Sequence, residues 1–306
     1  MDLLIWDKEM VDCIISFGCS LMYGADHEST NGNLRPSETS YTNIVSKHYD
    51  IEHKSFAHPG YSNQNIARTV FMAKKYCDDK DIKPIFWLGW TKYVHMGFMS
   101  MKSIGRNEGW PFMDVQNEIL KSSKDDELHE LSKTIYRSLD KMSRLHLSMN
   151  SIIQANLFLH KEGIPAINTF NSSTWIMDCA PETFYVKQHN SGKECRVQDY
   201  FDKRKGTISA DKLKGGVIAG VSGDSLNRFD PYSNDLWNYM KSFRWFEWGD
   251  NDLGFQKWTR DNGFPLYKEP VAHNSTNPTH WHPGEKAHEE AADRIINSNI
   301  IGEMLK

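Results

Sequence analysis

Apolar positions in this chain fall into short unbroken runs, and the stretches between them carry helical spacing. Cys13-Ile14-Ile15-Ser16-Phe17 is such a run, ends at Gly18, and reads as a strand covered on both faces. Residues 40–48 read as a helix and residues 51–57 as a second strand. Pro59-Gly60-Tyr61-Ser62-Asn63 signals a turn and a helix start, with Ile66, Val70, Phe71 and Ala73 following as its apolar face. Pro84 to Trp90 is a third, central strand. Residues 95–125, broken by Gly97, Gly105, Gly109 and Pro111, read as irregular. The longest helix is predicted over 127–161, stopped by Gly163, and residues 164–170 give a fourth strand. Residues 171–240 are polar and rich in glycine, and read as an insertion or lid. A helical or aromatic segment from Trp237 then leads to Gly263-Phe264-Pro265, and a final helix is predicted over about 284–305.

Strand and helix alternate with short connections. That order predicts a three-layer α/β/α fold, a doubly wound, flavodoxin-like parallel sheet with right-handed crossovers. The reading is one domain over 1–306 with an insertion at about 171–240.

Composition narrows the function. With 36 basic and 40 acidic residues the net charge is −4, which disfavours a dedicated nucleic-acid binder. Aromatic residues reach 12%, enough for deep pockets or broad contact surfaces, and the chain leaves room for a homo-oligomer. No apolar run has the length of a membrane span, and the start, Met1-Asp2-Leu3-Leu4, has none of the basic-then-apolar order of a secretory signal. The five cysteines are odd in number and form no CxxC pair, so the expectation is reduced thiols in a cytoplasmic protein.

In an open parallel sheet, ligands sit at the carboxyl ends of the strands, and three such places carry suggestive residues. Gly18-Cys19-Ser20 puts a serine directly after the first strand, where a glycine turn exposes its hydroxyl; the same residues would also serve as an ordinary turn and helix cap. Gly60-Tyr61-Ser62-Asn63 follows the second strand and offers amides, and an asparagine side chain, to an oxyanion. Near the end, Thr279-His280-Trp281-His282-Pro283-Gly284 holds histidines just before a helix. Histidine supplies a base with an ordinary pKa near neutrality.

Gly18-Cys19-Ser20-Leu21-Met22-Tyr23-Gly24 resembles the first block of the SGNH (GDSL-type) hydrolases, with cysteine in place of aspartate. Gly60-Tyr61-Ser62-Asn63 resembles the second block, and His282-Pro283-Gly284 with His288 and Ala291 resembles the last. The resemblance implies Ser20 as nucleophile, His282 as its base, and an oxyanion site drawn from Ser20, Gly60, Asn63 and Thr91. It implies a serine esterase acting on acyl or acetyl esters, of small molecules or of carbohydrate, with no cofactor. The charge balance and the lack of a spanning run give the separate expectations of no nucleic acid and no membrane, and no metal is expected.

Two departures from the family pattern stand out. The third block lacks its asparagine, since the strand ends Gly89-Trp90-Thr91-Lys92 and Thr91 takes the matching place. The aspartate expected just before the base is also missing, where Thr279 and His280 stand. His280, a backbone carbonyl, or a distant carboxylate such as Asp250, Asp252 or Asp261 remain as orienting groups.

Two rival readings follow. His280, His282 and His288, with His273, could gather a zinc ion, though no carboxylate or cysteine joins them at ligand spacing. A catalytically degenerate protein of the same fold, serving carbohydrate binding or assembly, is the alternative. The aromatic run Phe243 to Trp248 would then stack on sugars or a partner instead of packing the core. Gly215 to Gly223 lacks a nucleotide-binding pattern and reads as a flexible loop.

Overall fold

In the strand Cys13–Gly18 (β1) the side chains alternate between two apolar layers: Cys13, Ile15 and Phe17 enter one, and Ile14 enters the other. Pro84–Trp90 (β3) repeats the alternation, with Phe86, Leu88 and Trp90 on the first face and Ile85 and Trp87 on the second. Strands apolar on both sides need helices on both sides, and that requirement organises the molecule. The computed structural model describes residues 11–25, 35–93, 96–99, 112–115, 134, 138–139, 141–171, 185–187, 194–196, 231–248, 254–264 and 282–306.

The main sheet has the order β2-β1-β3-β6, with β2 at Glu52–Ser55 and β6 at Ala166–Phe170, and all pairs are parallel. Beyond β6 the sheet gains an edge position. Trp245 bridges Asn168, with Asn168 N–H donating to the Arg244 carbonyl (3.0 Å) and Phe246 N–H to the Asn168 carbonyl (2.8 Å). The first face is covered by Asn63–Lys80 (α3) and Lys141–Lys161 (α4), with Pro231–Lys241 (α5) beside them. The second carries Ser20–Tyr23 (α1), Tyr41–His48 (α2), Phe255–Asp261 (α6), Glu285–Ser298 (α7) and Ile300–Met304 (α8). The helices after β1 and after β2 therefore lie on opposite faces. The strand order reverses between β1 and β3, the place where open α/β sheets form a ligand crevice.

Most predicted elements appear within a few residues of their expected limits. The region expected to be irregular holds an antiparallel pair, Met96–Met99 (β4) with Phe112–Val115 (β5). The final helix is two helices, because Asn299 adopts φ 57°, a left-handed conformation that asparagine tolerates better than most residues. Within 171–240, Tyr185–Lys187 (β7) pairs antiparallel with Glu194–Arg196 (β8), and α5 packs against α4 as part of the first layer. The rest of the expected insertion, and the part of the predicted long helix before residue 134, lie outside the described residues. The aromatic run after α5 is packing. Phe246 and Trp248 are buried, and the Trp245 ring lies 4.4 Å from that of Phe170.

A buried polar network ties these layers together. Trp90 Nε1 and Asn156 Nδ2 both donate to Asn168 Oδ1 (2.8 and 3.0 Å), and Asn168 Nδ2 donates to Asn156 Oδ1 (2.8 Å). Such groups are tolerable inside because they satisfy one another. Among the described residues Cys13, Cys19 and Cys77 are free and buried. Burial pushes the thiol of Cys13 up to about 12 and that of Cys77 up to about 11, so both remain protonated. No helix among the described residues is long and apolar enough to cross a membrane.

Candidate functional site

Gly18 ends β1 on the second face, where α1 turns back over the sheet. A Cβ there would lie 2.6 Å from Met22 Cβ and 3.0 Å from the Gly89 carbonyl oxygen, so only glycine allows α1 to sit this close. Cys19 occupies the N-cap place in extended conformation, and Ser20 is the first residue of α1. Leu21, Met22 and Tyr23 anchor the short helix in the second core, leaving Ser20 partly exposed. The amides of Ser20 and Leu21 occupy first-turn positions, which an α-helix leaves without an intrahelical acceptor.

His282 arrives from the other end of the chain. It is partly exposed and stands two residues before Gly284, the N-cap of α7. Its Nε2 lies 2.8 Å from Ser20 Oγ, across 262 positions of sequence. A serine hydroxyl at that distance from an imidazole nitrogen can pass its proton to the ring as the oxygen attacks an electrophile. Which ring nitrogen carries the proton depends on the tautomer.

The loop after β2 is drawn to the same strand end. Phe56 N–H donates to the Ser16 carbonyl (2.8 Å) and His58 N–H to the Gly18 carbonyl (3.0 Å), extending the pairing with β1 past the last residue of β2. Gly60 follows with φ 89°, a left-handed value suited to glycine. The chain then enters α3, where the Ser62 hydroxyl caps the helix by accepting from Asn65 N–H (3.3 Å).

Asn63, anticipated as an oxyanion donor, is bonded to the Thr91 main chain. Its Nδ2 donates to the Thr91 carbonyl (3.0 Å), while Thr91 N–H donates to Asn63 Oδ1 (2.9 Å). Both residues are buried. The pair of bonds clamps the start of α3 to the end of β3, and β3 is the strand beside β1. Asp261, considered as an orienting carboxylate, sits at the surface end of α6 and pairs with Lys257 one turn back. Asp250, Asp252, His273 and His280 lie outside the described residues.

His288 and His282 engage different partners. His288 is buried, and its Nδ1 accepts from the Tyr41 amide at 3.1 Å. The spacing of His282 and His288 hinted at a shared role, but no local pattern relates His288 to a residue 247 positions away. Among the described residues no group of three or more metal-ligating side chains gathers.

A second serine–histidine contact lies deeper in the sheet, where Ser16 Oγ is 2.9 Å from His53 Nε2. Burial, then the charge of Lys47, lowers the pKa of His53 to about 4, so its ring is neutral at neutral pH. Ser16 is buried in mid-strand, with no access for a substrate.

No protein-family model matches the sequence, and no curated protein matches it. Solved structures similar in fold include a member of the lipolytic protein G-D-S-L family from Veillonella parvula. It is 9% identical, with 94% of this chain and 97% of that chain covered, at a TM-score of 0.39. Phospholipase A1 from Streptomyces albidoflavus is likewise 9% identical, with 94% and 99% covered, at a TM-score of 0.34.

Proposed function

We propose that this chain is a serine ester hydrolase in which Ser20 is the nucleophile and His282 the general base. The observation that carries the reading is the 2.8 Å contact between Ser20 Oγ and His282 Nε2. The setting supports it, because both groups are partly exposed and lie at the carboxyl end of β1, where the strand order reverses.

Ser20 Oγ attacks the carbonyl carbon of an ester while His282 Nε2 takes the hydroxyl proton. The negative charge that develops on the carbonyl oxygen is met by the amides of Ser20 and Gly60. Each such donor is worth about 3–4 kcal/mol of barrier where measured. The tetrahedral species collapses, the ester C–O bond breaks, and His282 returns its proton to the leaving alcohol. Water then enters, gives a proton to His282 and attacks the acyl carbon; the bond to Ser20 Oγ breaks, the acid leaves, and His282 returns the proton to Ser20 Oγ. Asn63 serves this site indirectly, through the Thr91 clamp. The substrate class is an acyl or acetyl ester, with a carbohydrate ester as the finer expectation.

Hydrolysis of p-nitrophenyl acetate tests the reading. Ser20→Ala and His282→Ala should each lower kcat by about three orders of magnitude or more, because such residues act as a unit. Equal rates for wild type and both variants would overturn it. Saccharide binding without Ser20-dependent hydrolysis would establish the degenerate binding protein instead.

A further inference from the structure

The helix α2 begins without a local cap. Ser40 stands in the N-cap place, yet its side chain makes no capping bond and instead lies 3.4 Å from the Thr42 hydroxyl. The Tyr41 amide is one of the orphan donors at this helix start. His288, one turn into α7, satisfies it with Nδ1 at 3.1 Å. A backbone amide can only donate, so Nδ1 must be bare and the neutral ring must carry its proton on Nε2. The imidazole is 1% exposed and stacks on the Tyr41 ring at 5.5 Å and 23°, with the Phe255 ring edge-on at 4.9 Å.

Tyr41 is itself fixed. Its ring is packed by Trp87, Trp248 and Phe255. Burial, and then Cys19, holds its phenol well above the usual range, so the hydroxyl keeps its proton. That hydroxyl donates to Asn171 Oδ1 (3.3 Å), just past β6. Asn171 Nδ2 and the Met22 methyl both cover Gly89, lying 2.6 and 2.9 Å from where a Cβ would stand. Met22 belongs to α1, the helix that Ser20 begins. One post, Tyr41, thus touches the helix that follows His282 and, through Asn171, the packing beneath the helix that carries Ser20. The cap of α7, Gly284, has no side chain to hold the His282 loop locally.

We propose that His288 is a positioning residue for the Ser20–His282 pair: its Nδ1 docks α7 onto the first turn of α2, and that docking sets where His282 meets Ser20. The inference rests on the esterase reading for its kinetic consequence, and not for its geometric one. An asparagine can place an acceptor near Nδ1, whereas a leucine fills similar space with none.

His288→Leu and His288→Asn, with wild type, are compared by kcat and KM on p-nitrophenyl acetate and by crystallography. His288→Leu should lower kcat tenfold to a hundredfold with KM within about twofold, since small misplacement of catalytic groups costs about that much. Its Ser20 Oγ to His282 Nε2 distance should exceed about 3.5 Å, beyond hydrogen-bond reach. His288→Asn should keep kcat within about threefold of wild type and retain the contact. If the leucine variant does not fold, His288→Gln, with its amide set one carbon too far out, replaces it with the same expected loss. A leucine or glutamine variant that keeps the contact and the wild-type kcat would overturn the proposal, as would an asparagine variant no better than leucine. Failure of the esterase reading is separately visible: Ser20→Ala would then match wild type, while the crystallographic distances in the His288 variants would still decide the docking.

Discussion

Asn63 shows how much a single amide decides. Both ends of its side chain are engaged by the Thr91 main chain, so truncation strips a buried N–H and a buried carbonyl of their partners together. Unsatisfied buried groups cost about 1–3 kcal/mol each. Asn63→Ala should therefore destabilise the fold by about 2–6 kcal/mol, read as a lower urea midpoint with an unchanged denaturant slope. Unchanged stability together with a collapse of kcat would instead make Asn63 a direct oxyanion donor. The residue was legible in the sequence as a polar group near the site. Its partner was not, because the amide's choice between an oxyanion and a backbone depends on where β3 ends in space.

The turn from β1 into α1 is the element on which the site depends. Its sequence signature, an apolar run closed by Gly18 and followed by Ser20, was readable because the steric demand is local. A Cβ at Gly18 meets Met22 Cβ at 2.6 Å and the Gly89 carbonyl oxygen at 3.0 Å, and neither atom is the loose end of a side chain. Gly18→Ala should displace α1, cost about 1–3 kcal/mol in stability, and lower kcat by about tenfold or more as Ser20 leaves its place. Steady-state kinetics well below the melting temperature check this, and a variant with wild-type kcat would show that α1 can shift without moving Ser20. Other elements were less readable. The β4–β5 pair is short and sits among glycines that suggest irregular chain. The edge position at Trp245 consists of one bridge, too little for any periodicity to register.

At the scale of the whole molecule, the sheet partly buries a histidine whose protonation opposes folding. His53 has its pKa lowered to about 4 by burial and then by Lys47, against about 6.5 in an unfolded chain. Between those values the unfolded state binds more protons. The contribution of His53 is therefore complete above about pH 6.5 and is lost as pH falls towards 4, up to about 3 kcal/mol in all. The difference in unfolding free energy between wild type and His53→Gln, followed from pH 7 to 4, should shrink across that window; a constant difference would show that His53 titrates normally in the fold. The alternating layers of the sheet, the strand order they imply and the glycines at its turns follow from local pattern, since apolar periodicity and steric room are properties of neighbouring residues. Contacts between distant parts are another matter. Ser20 meets His282 across 262 positions, and His288 caps Tyr41 across 247. Motif resemblance could nominate the first pair, and nothing in the chain nominated the second. A hydrogen bond is satisfied by whichever partner the packed layers bring within about 3 Å, and only the folded arrangement of α2 against α7 brings that imidazole to that amide.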